Sequence, residues 1–234
     1  MDYDAIIFDN DGVLVTPTPR DLWWTASRLA FQELGVPDAI DDHIERMDGY
    51  NVSALVRLCA HYGVNTDDFW RRRESHAARA QRQEFRHGRK GTYDDVDAVH
   101  SLAPPVGIVS NNQQATIDFV VDYYGFDRSV STHYGREPTL DGLMRMKPSS
   151  HYLRQAIDDL GATDPLYVGD SSVDMAAAAD LGIDSAFVRR PHRVDYDPTP
   201  DPTYEIASLA ELQVICDTGV RSRSPATPRG RGSD

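Results

Sequence analysis

Short apolar runs alternate with helical periodicities along the chain. Ala5-Ile6-Ile7-Phe8 is an apolar run bounded by acids, the pattern of a strand buried on both faces of a parallel sheet. Between residues 19 and 35, Leu22, Trp23, Ala26, Leu29, Ala30 and Leu34 recur at helical spacing, and Gly35 supplies a stop. Further helical stretches span about 39–47, 52–62 and 66–87, broken at Asp48-Gly49 and at Gly63-Val64-Asn65. No strand-like run occurs between residues 19 and 104, which makes residues 16–88 a candidate helical insert. Strand patterns return at Val106–Val109, Ser129–Thr132, Leu166–Val168 and Ala186–Val188. The helices predicted between and after them cover about 113–124, 149–160, 172–181 and 207–215, and a polar loop is expected before Lys147-Pro148.

Strands alternating with helices predict an α/β fold, a Rossmann-like doubly wound parallel sheet interrupted by an all-α insert. The core is then 1–15 plus 89–217. Residues 218–234 hold Arg, Ser, Pro and Gly with almost no apolar side chains, the composition of a disordered tail. At 234 residues and about 150 per domain, one large domain or one domain plus an insert is expected.

Charge narrows the class of partner. The chain carries 24 basic and 37 acidic residues, a net charge of −13, which argues against duplex nucleic acid held by phosphate neutralisation. The make-up is uneven, with 30 Asp against 7 Glu and 22 Arg against only two lysines, Lys90 and Lys147. A surface adapted to salt is one reading, since salt screens the repulsion of dense carboxylates; a codon bias towards Arg is the other. No apolar run reaches the ~18 residues of a membrane span. Met1–Phe8 has two aspartates and no basic residue, unlike a signal peptide, so a cytoplasmic protein is expected. Cys59 and Cys216 sit in separate apolar runs with no CxxC pair, so two reduced, buried thiols are expected rather than a zinc or redox motif. The eight histidines form no HxxH or HExxH pair.

Ligands in open α/β sheets bind beyond the carboxyl ends of the strands. Asp9-Asn10-Asp11-Gly12 follows the first predicted strand, Ser110-Asn111-Asn112 the second, and Gly169-Asp170-Ser171-Ser172-Val173-Asp174 a later one; Lys147 precedes a helix. Four carboxylates on one sheet edge cannot all stay ionised without a cation, and an all-oxygen donor set suits Mg²⁺. One carboxylate can attack phosphorus while another transfers the proton. An EF-hand reading of Asp9–Gly12 fails, because Gly arrives at the fourth position and Val13 stands at the fifth.

The ordered set Phe8-Asp9-Asn10-Asp11-Gly12-Val13-Leu14, Ile108-Val109-Ser110-Asn111, Lys147-Pro148 and Gly169–Asp174 resembles the haloacid dehalogenase-like hydrolase superfamily. The resemblance implies Asp9 as nucleophile, Asp11 as general acid/base, and Ser110, Asn111 and Lys147 around the phosphoryl group. It implies Mg²⁺ held at Asp9, the backbone carbonyl of Asp11 and Asp170, with Asp174 in a supporting or direct role. An acid at position 11 implies phosphoester chemistry, since a halide leaves without a proton. The helical insert resembles the small cap of the phosphoglycolate-phosphatase and phosphomutase branch. The expected activity is a Mg²⁺-dependent phosphatase of a small phosphorylated metabolite, working as a monomer or homodimer; a sugar phosphomutase and a non-catalytic phosphometabolite-binding protein are the alternatives.

Three cap features each carry two readings. The loop Asp48-Gly49-Tyr50-Asn51 is either a substrate-facing loop, with Gly49 at the substrate, or an ordinary helix–helix turn. Mutase relatives tend to carry an Arg there, and none occurs between Gly49 and Leu55. Arg72, Arg79 and Arg86 share a helix face within a stretch that also holds Arg71, Arg73, Arg82, Arg89 and Lys90. That stretch is either a solvated face balancing acidic surroundings, or an anion-attracting rim or nucleic-acid contact. Trp23, Trp24 and Trp70 read as cap core before substrate platform.

Overall fold

The structure, a computed structural model, describes residues 3–39, 41–45 and 51–218. Gly49 and most of its loop, together with the tail beyond residue 218, lie outside the described residues.

Six parallel strands form one sheet in the order β3-β2-β1-β4-β5-β6: β1 (Ala5–Phe8), β2 (Val106–Gln113), β3 (Val130–Arg136), β4 (Pro165–Gly169), β5 (Asp184–Val188) and β6 (Tyr204–Ile206). β1 lies between β2 and β4, with Ile6 opposite both Val106 and Leu166. All four of its residues are buried, as its unbroken apolar run demands.

The period-2 alternation of β1 divides two apolar layers. Ile6 and Phe8 face a layer with Val106, Ile108, Val168, Ile117, Val120 and Leu212. That layer takes in α5 (Gln114–Tyr123) and α9 (Glu211–Thr218). Ile7 faces the opposite way, towards Tyr152, Leu153, Ala156, Ala177 and Ala178, on α7 (His151–Leu160) and α8 (Ser172–Leu181). Helices therefore cover both faces of the sheet, the doubly wound architecture expected from the alternation of elements.

Between β1 and β2 run α1 (Arg20–Glu33), α2 (Asp41–Glu45), α3 (Val52–His61) and α4 (Thr66–Arg86). Asn51 and Asn65 cap α3 and α4, each accepting the backbone N–H three residues on, from Ala54 at 3.1 Å and from Asp68 at 3.0 Å. Phe31, Ile44, Leu55, Cys59, Phe69 and Trp70 form the helical block's own apolar cluster. Leu143 joins that cluster from α6 (Leu140–Met144), a short helix after β3.

Three details differ from the sequence expectation. The polar loop before Lys147 is largely structured, because β3 continues to Arg136 and α6 follows. β2 continues four residues past Val109 through Ser110-Asn111-Asn112-Gln113, polar residues that buried hydrogen bonds satisfy in place of apolar packing. β6 adds a strand where no apolar alternation is long enough to be read. Cys59 and Cys216 are buried, as expected.

Candidate active site

The carboxyl ends of β1, β2 and β4 meet at one edge, and each contributes polar side chains. Asp9 directly follows β1, and its backbone N–H donates to Val168 O at 2.8 Å, which ties the loop to β4. Gly12 turns the chain with φ +85°. A Cβ at Gly12 would stand 2.4 Å from Asp170 Oδ2, so both the conformation and the close approach require glycine there. Gly169 permits a second close approach, since its Cβ would stand 2.3 Å from that of Asp174.

Carboxylate oxygens of Asp9, Asp170 and Asp174 lie within 4.8 Å of one another, and all three residues are buried. Lys147 Nζ closes the cluster from below, 2.9 Å from Asp9 Oδ1 and 2.6 Å from Asp174 Oδ1. It also donates to Tyr167 Oη at 2.7 Å and to Val109 O at 3.0 Å. Burial alone would lower the Lys147 pKa, but Asp174 and then Asp9 outweigh it and raise it, so the ammonium stays charged. Burial works the other way on Asp9. With repulsion from Asp174 and Asp170, it pushes the Asp9 carboxyl up to about 7 against the pull of Lys147.

Asp174 has little freedom. Its Oδ2 accepts from Ser171 Oγ and, at 3.3 Å, from the Asp170 backbone N–H, while Oδ1 is held by Lys147 and Tyr167. Asp170 Oδ2 meets His192 Nε2 at 2.7 Å and Arg193 Nε at 3.0 Å. His192 and Arg193 come from the loop after β5, and no motif in the sequence marks them.

Asp11 stands apart from this cluster. Its carboxylate accepts from Thr18 Oγ1 at 2.9 Å, from Asn112 Nδ2 at 2.6 Å and from Lys90 Nζ. Lys90 is 2 % exposed and also reaches Thr18 Oγ1 at 2.6 Å and Gln81 Oε1 at 3.0 Å. Burial raises the Asp11 carboxyl, but the Lys90 ammonium, then hydrogen bonds from Lys90, Asn112 and Thr18, overcome it and hold the group below its usual value. In the sequence, Lys90 merges with the Arg-rich stretch; its burial on Asp11 depends on the chain doubling back after α4.

Ser110 and Asn111 reach the same cleft from β2. A cavity of about 200 Å³ is lined by Asp9, Asp11, Thr18, Trp23, Ser110 and Asn111 among others. Both ends of the Asn111 amide hold the Lys147 main chain, donating to its carbonyl at 2.9 Å and accepting from its N–H at 2.7 Å. Trp23 lines the cleft and carries the Arg73 guanidinium over its ring at 5.1 Å. Trp70 is buried in the helical block as expected.

A search of curated proteins finds no significant sequence match. Among solved structures, the chain is similar to CbbY from Rhodobacter sphaeroides in complex with phosphate, with TM-score 0.65 and 16% identity over 90% of this chain and 96% of that one. It is similar to a candidate phosphoglycolate phosphatase from Lactobacillus plantarum, with TM-score 0.59 and 17% identity over 92% and 100%. A candidate β-phosphoglucomutase from Thermotoga maritima gives TM-score 0.57 and 16% identity over 93% and 100%. At these identities the likeness is one of fold. Residues 6–188 match the family model for haloacid dehalogenase-like hydrolases, and the chain belongs to that family.

Proposed function

We propose that the protein is a Mg²⁺-dependent phosphatase that hydrolyses a small organic phosphomonoester through a phosphorylated Asp9. The observation that carries this reading is the separation of roles among the carboxylates at the strand ends. Asp9 stands with Asp170 and Asp174 beside Lys147, whereas Asp11, two residues on, is held by its own donors.

The donor chemistry fits a hard divalent cation. Three buried carboxylates lie within 4.8 Å, with Lys147 on Asp9 and Asp174 and Arg193 on Asp170; burial first, and then repulsion from Asp174 and Asp170, raises Asp9, and a cation relieves both. Asp9, Asp170 and the backbone carbonyl of Asp11 would hold Mg²⁺. Asp174 is occupied by Lys147, Ser171 and Tyr167 and supports the site by positioning Lys147. Once bound, Mg²⁺ supplies charge stabilisation to the phosphoryl oxygens.

Asp9 attacks phosphorus through a carboxylate oxygen, and the bond to the leaving oxygen breaks. Asp11 gives that oxygen its proton. It then takes a proton from the water that attacks the phosphorylated Asp9, releasing phosphate and restoring the carboxylate. Lys147 and the Ser110 hydroxyl offset charge on the phosphoryl oxygens. Thr18 and Trp23 bring the helical block to the cleft, where its closure over a bound ester would exclude bulk water.

Release of phosphate from an aryl phosphate, with and without Mg²⁺, tests the reading. Asp9→Asn is expected to lose activity by at least about 10³-fold, and equal turnover by both proteins removes Asp9 as nucleophile. Asp11→Asn should slow alkyl esters far more than aryl esters, because only the poorer leaving group needs the proton. Isomerisation of a sugar phosphate without net phosphate release would replace hydrolysis by phosphoryl return.

A further inference from the structure

Among the described residues, a second cleft lies away from the carboxylates. It has a volume of about 640 Å³, in the range of roughly 300–1,000 Å³ typical of small-molecule sites. One wall is α4, the other the start of α5 with the end of β3. Arg71, Arg79, Arg82 and Arg86 line it from α4, and Arg136 lies at its base. Among the described residues Glu74 is the one acidic residue of the lining, and it is matched by Arg136, 2.7 Å away, and by Arg73.

The remaining positive charge is largely uncompensated. Arg71 pairs with Asp68 at 2.9 Å. Among the described residues, Arg79 and Arg86 have no carboxylate partner, and Arg86 rests over the Phe119 ring at 5.7 Å. Arg82 donates to Ala115 O at 3.1 Å, but its Nε is buried with no hydrogen-bond partner. A buried guanidinium N–H without an acceptor costs free energy that a ligand oxygen would recover. Arg79, Arg82 and Arg86 are spaced i, i+3, i+7 on one helix face. They cover about 10 Å along the axis at 1.5 Å per residue. In a chain of net charge −13, such a focus of positive charge inside a concave cleft selects anions locally.

We propose that this cleft is a second anion site, separate from the carboxylate cluster, that takes an oligophosphate chain of about triphosphate length between α4 and α5. Arg79, Arg82 and Arg86 grip successive phosphates as charge-assisted donors. The ligand is recognised by its phosphates alone, because Ala78, Ala115 and Pro138 are the only apolar lining residues among the described residues and offer no slot for a base. A nucleic-acid strand is disfavoured. The Phe119 ring that would stack a base already lies beneath Arg82 and Arg86.

Calorimetric titration of the metal-free full chain with tripolyphosphate tests the site. The wild type is expected to bind one equivalent. Arg79→Gln/Arg86→Gln changes two exposed side chains and should weaken binding about tenfold or more. Ala115→Glu, which sets a carboxylate in the cleft from the opposite wall, should do the same. Ser110→Ala, in the phosphoryl cradle, should leave the affinity within about twofold of wild type, which separates this site from the catalytic one. ATP should bind no tighter than tripolyphosphate. Absence of binding, loss in Ser110→Ala with retention in both cleft variants, or tighter binding of ATP or of a single-stranded oligonucleotide would each overturn the proposal.

Discussion

Both lysines of this chain are committed to aspartates at the sheet edge: Lys147 to Asp9 and Asp174, Lys90 to Asp11. Their effects differ because their surroundings differ. Lys147 shares a crowded cluster in which burial, and then repulsion from Asp174 and Asp170, still leaves Asp9 raised to about 7, whereas Lys90 faces one carboxylate and holds it below its usual value. As a general acid, Asp11 must carry a proton when the leaving oxygen departs, and the Lys90 ammonium opposes that protonation. Removing the ammonium in Lys90→Met raises the Asp11 pKa. The alkaline limb of kcat for an alkyl phosphate should therefore move to higher pH, as read from a pH–rate profile. An unmoved limb would reduce Lys90 to a packing role. Lys147 was legible in the sequence because it precedes a helix next to Pro148, within an ordered set of strand-end motifs. Lys90 was not, because its meaning comes from a tertiary approach to Asp11 across 79 residues.

The same contrast holds for elements. Strands with unbroken apolar runs, β1 above all, could be read directly, as could helices with strong periodicity such as α1 and α4. The polar half of β2 could not, since its residues are held by side-chain hydrogen bonds. Gln81 of α4 donates to Asn112 Oδ1 at 2.8 Å and to Gln113 Oε1 at 2.9 Å. Gln81 thus joins the helical block to the strand that carries Ser110. Glu74, two turns earlier on α4, makes a second joint by accepting from Arg136 Nε at 2.7 Å and Nη2 at 2.9 Å. Burial raises the Glu74 carboxyl, but Arg136 and then Arg73 prevail and lower it. A depressed folded pKa means that this stabilisation is complete above the ordinary value of 4.5 and is lost as pH falls below it. Glu74→Gln leaves two guanidinium groups without their buried carboxylate. It should cost about 3–5 kcal/mol in urea unfolding at pH 7. That difference should shrink on acidification; a constant difference from pH 7 to pH 3 would contradict the assignment.

At the scale of the whole molecule, the charge that disfavours anionic partners has a different consequence. Three aspartates, at positions 9, 170 and 174, belong to a buried cluster, and Asp11 is matched by Lys90. Most of the 30 aspartates therefore contribute to a general negative field rather than to the site. Short side chains place that charge close to the backbone, where it is least able to spread. The field falls off over roughly 10 Å at 0.1 M salt and about 3 Å at 1 M, so self-repulsion in the compact state is much weaker in concentrated salt. A net charge of −13 on 234 residues should then make the fold less stable on dilution. The melting temperature should fall from molar to millimolar KCl. Specific anion binding would produce a curve that depends on which anion is present, whereas screening depends on ionic strength alone. Equal melting curves in KCl and potassium acetate at matched ionic strength, both falling on dilution, are the expected result. A melting temperature that does not change from molar to millimolar salt would contradict a surface suited to salt.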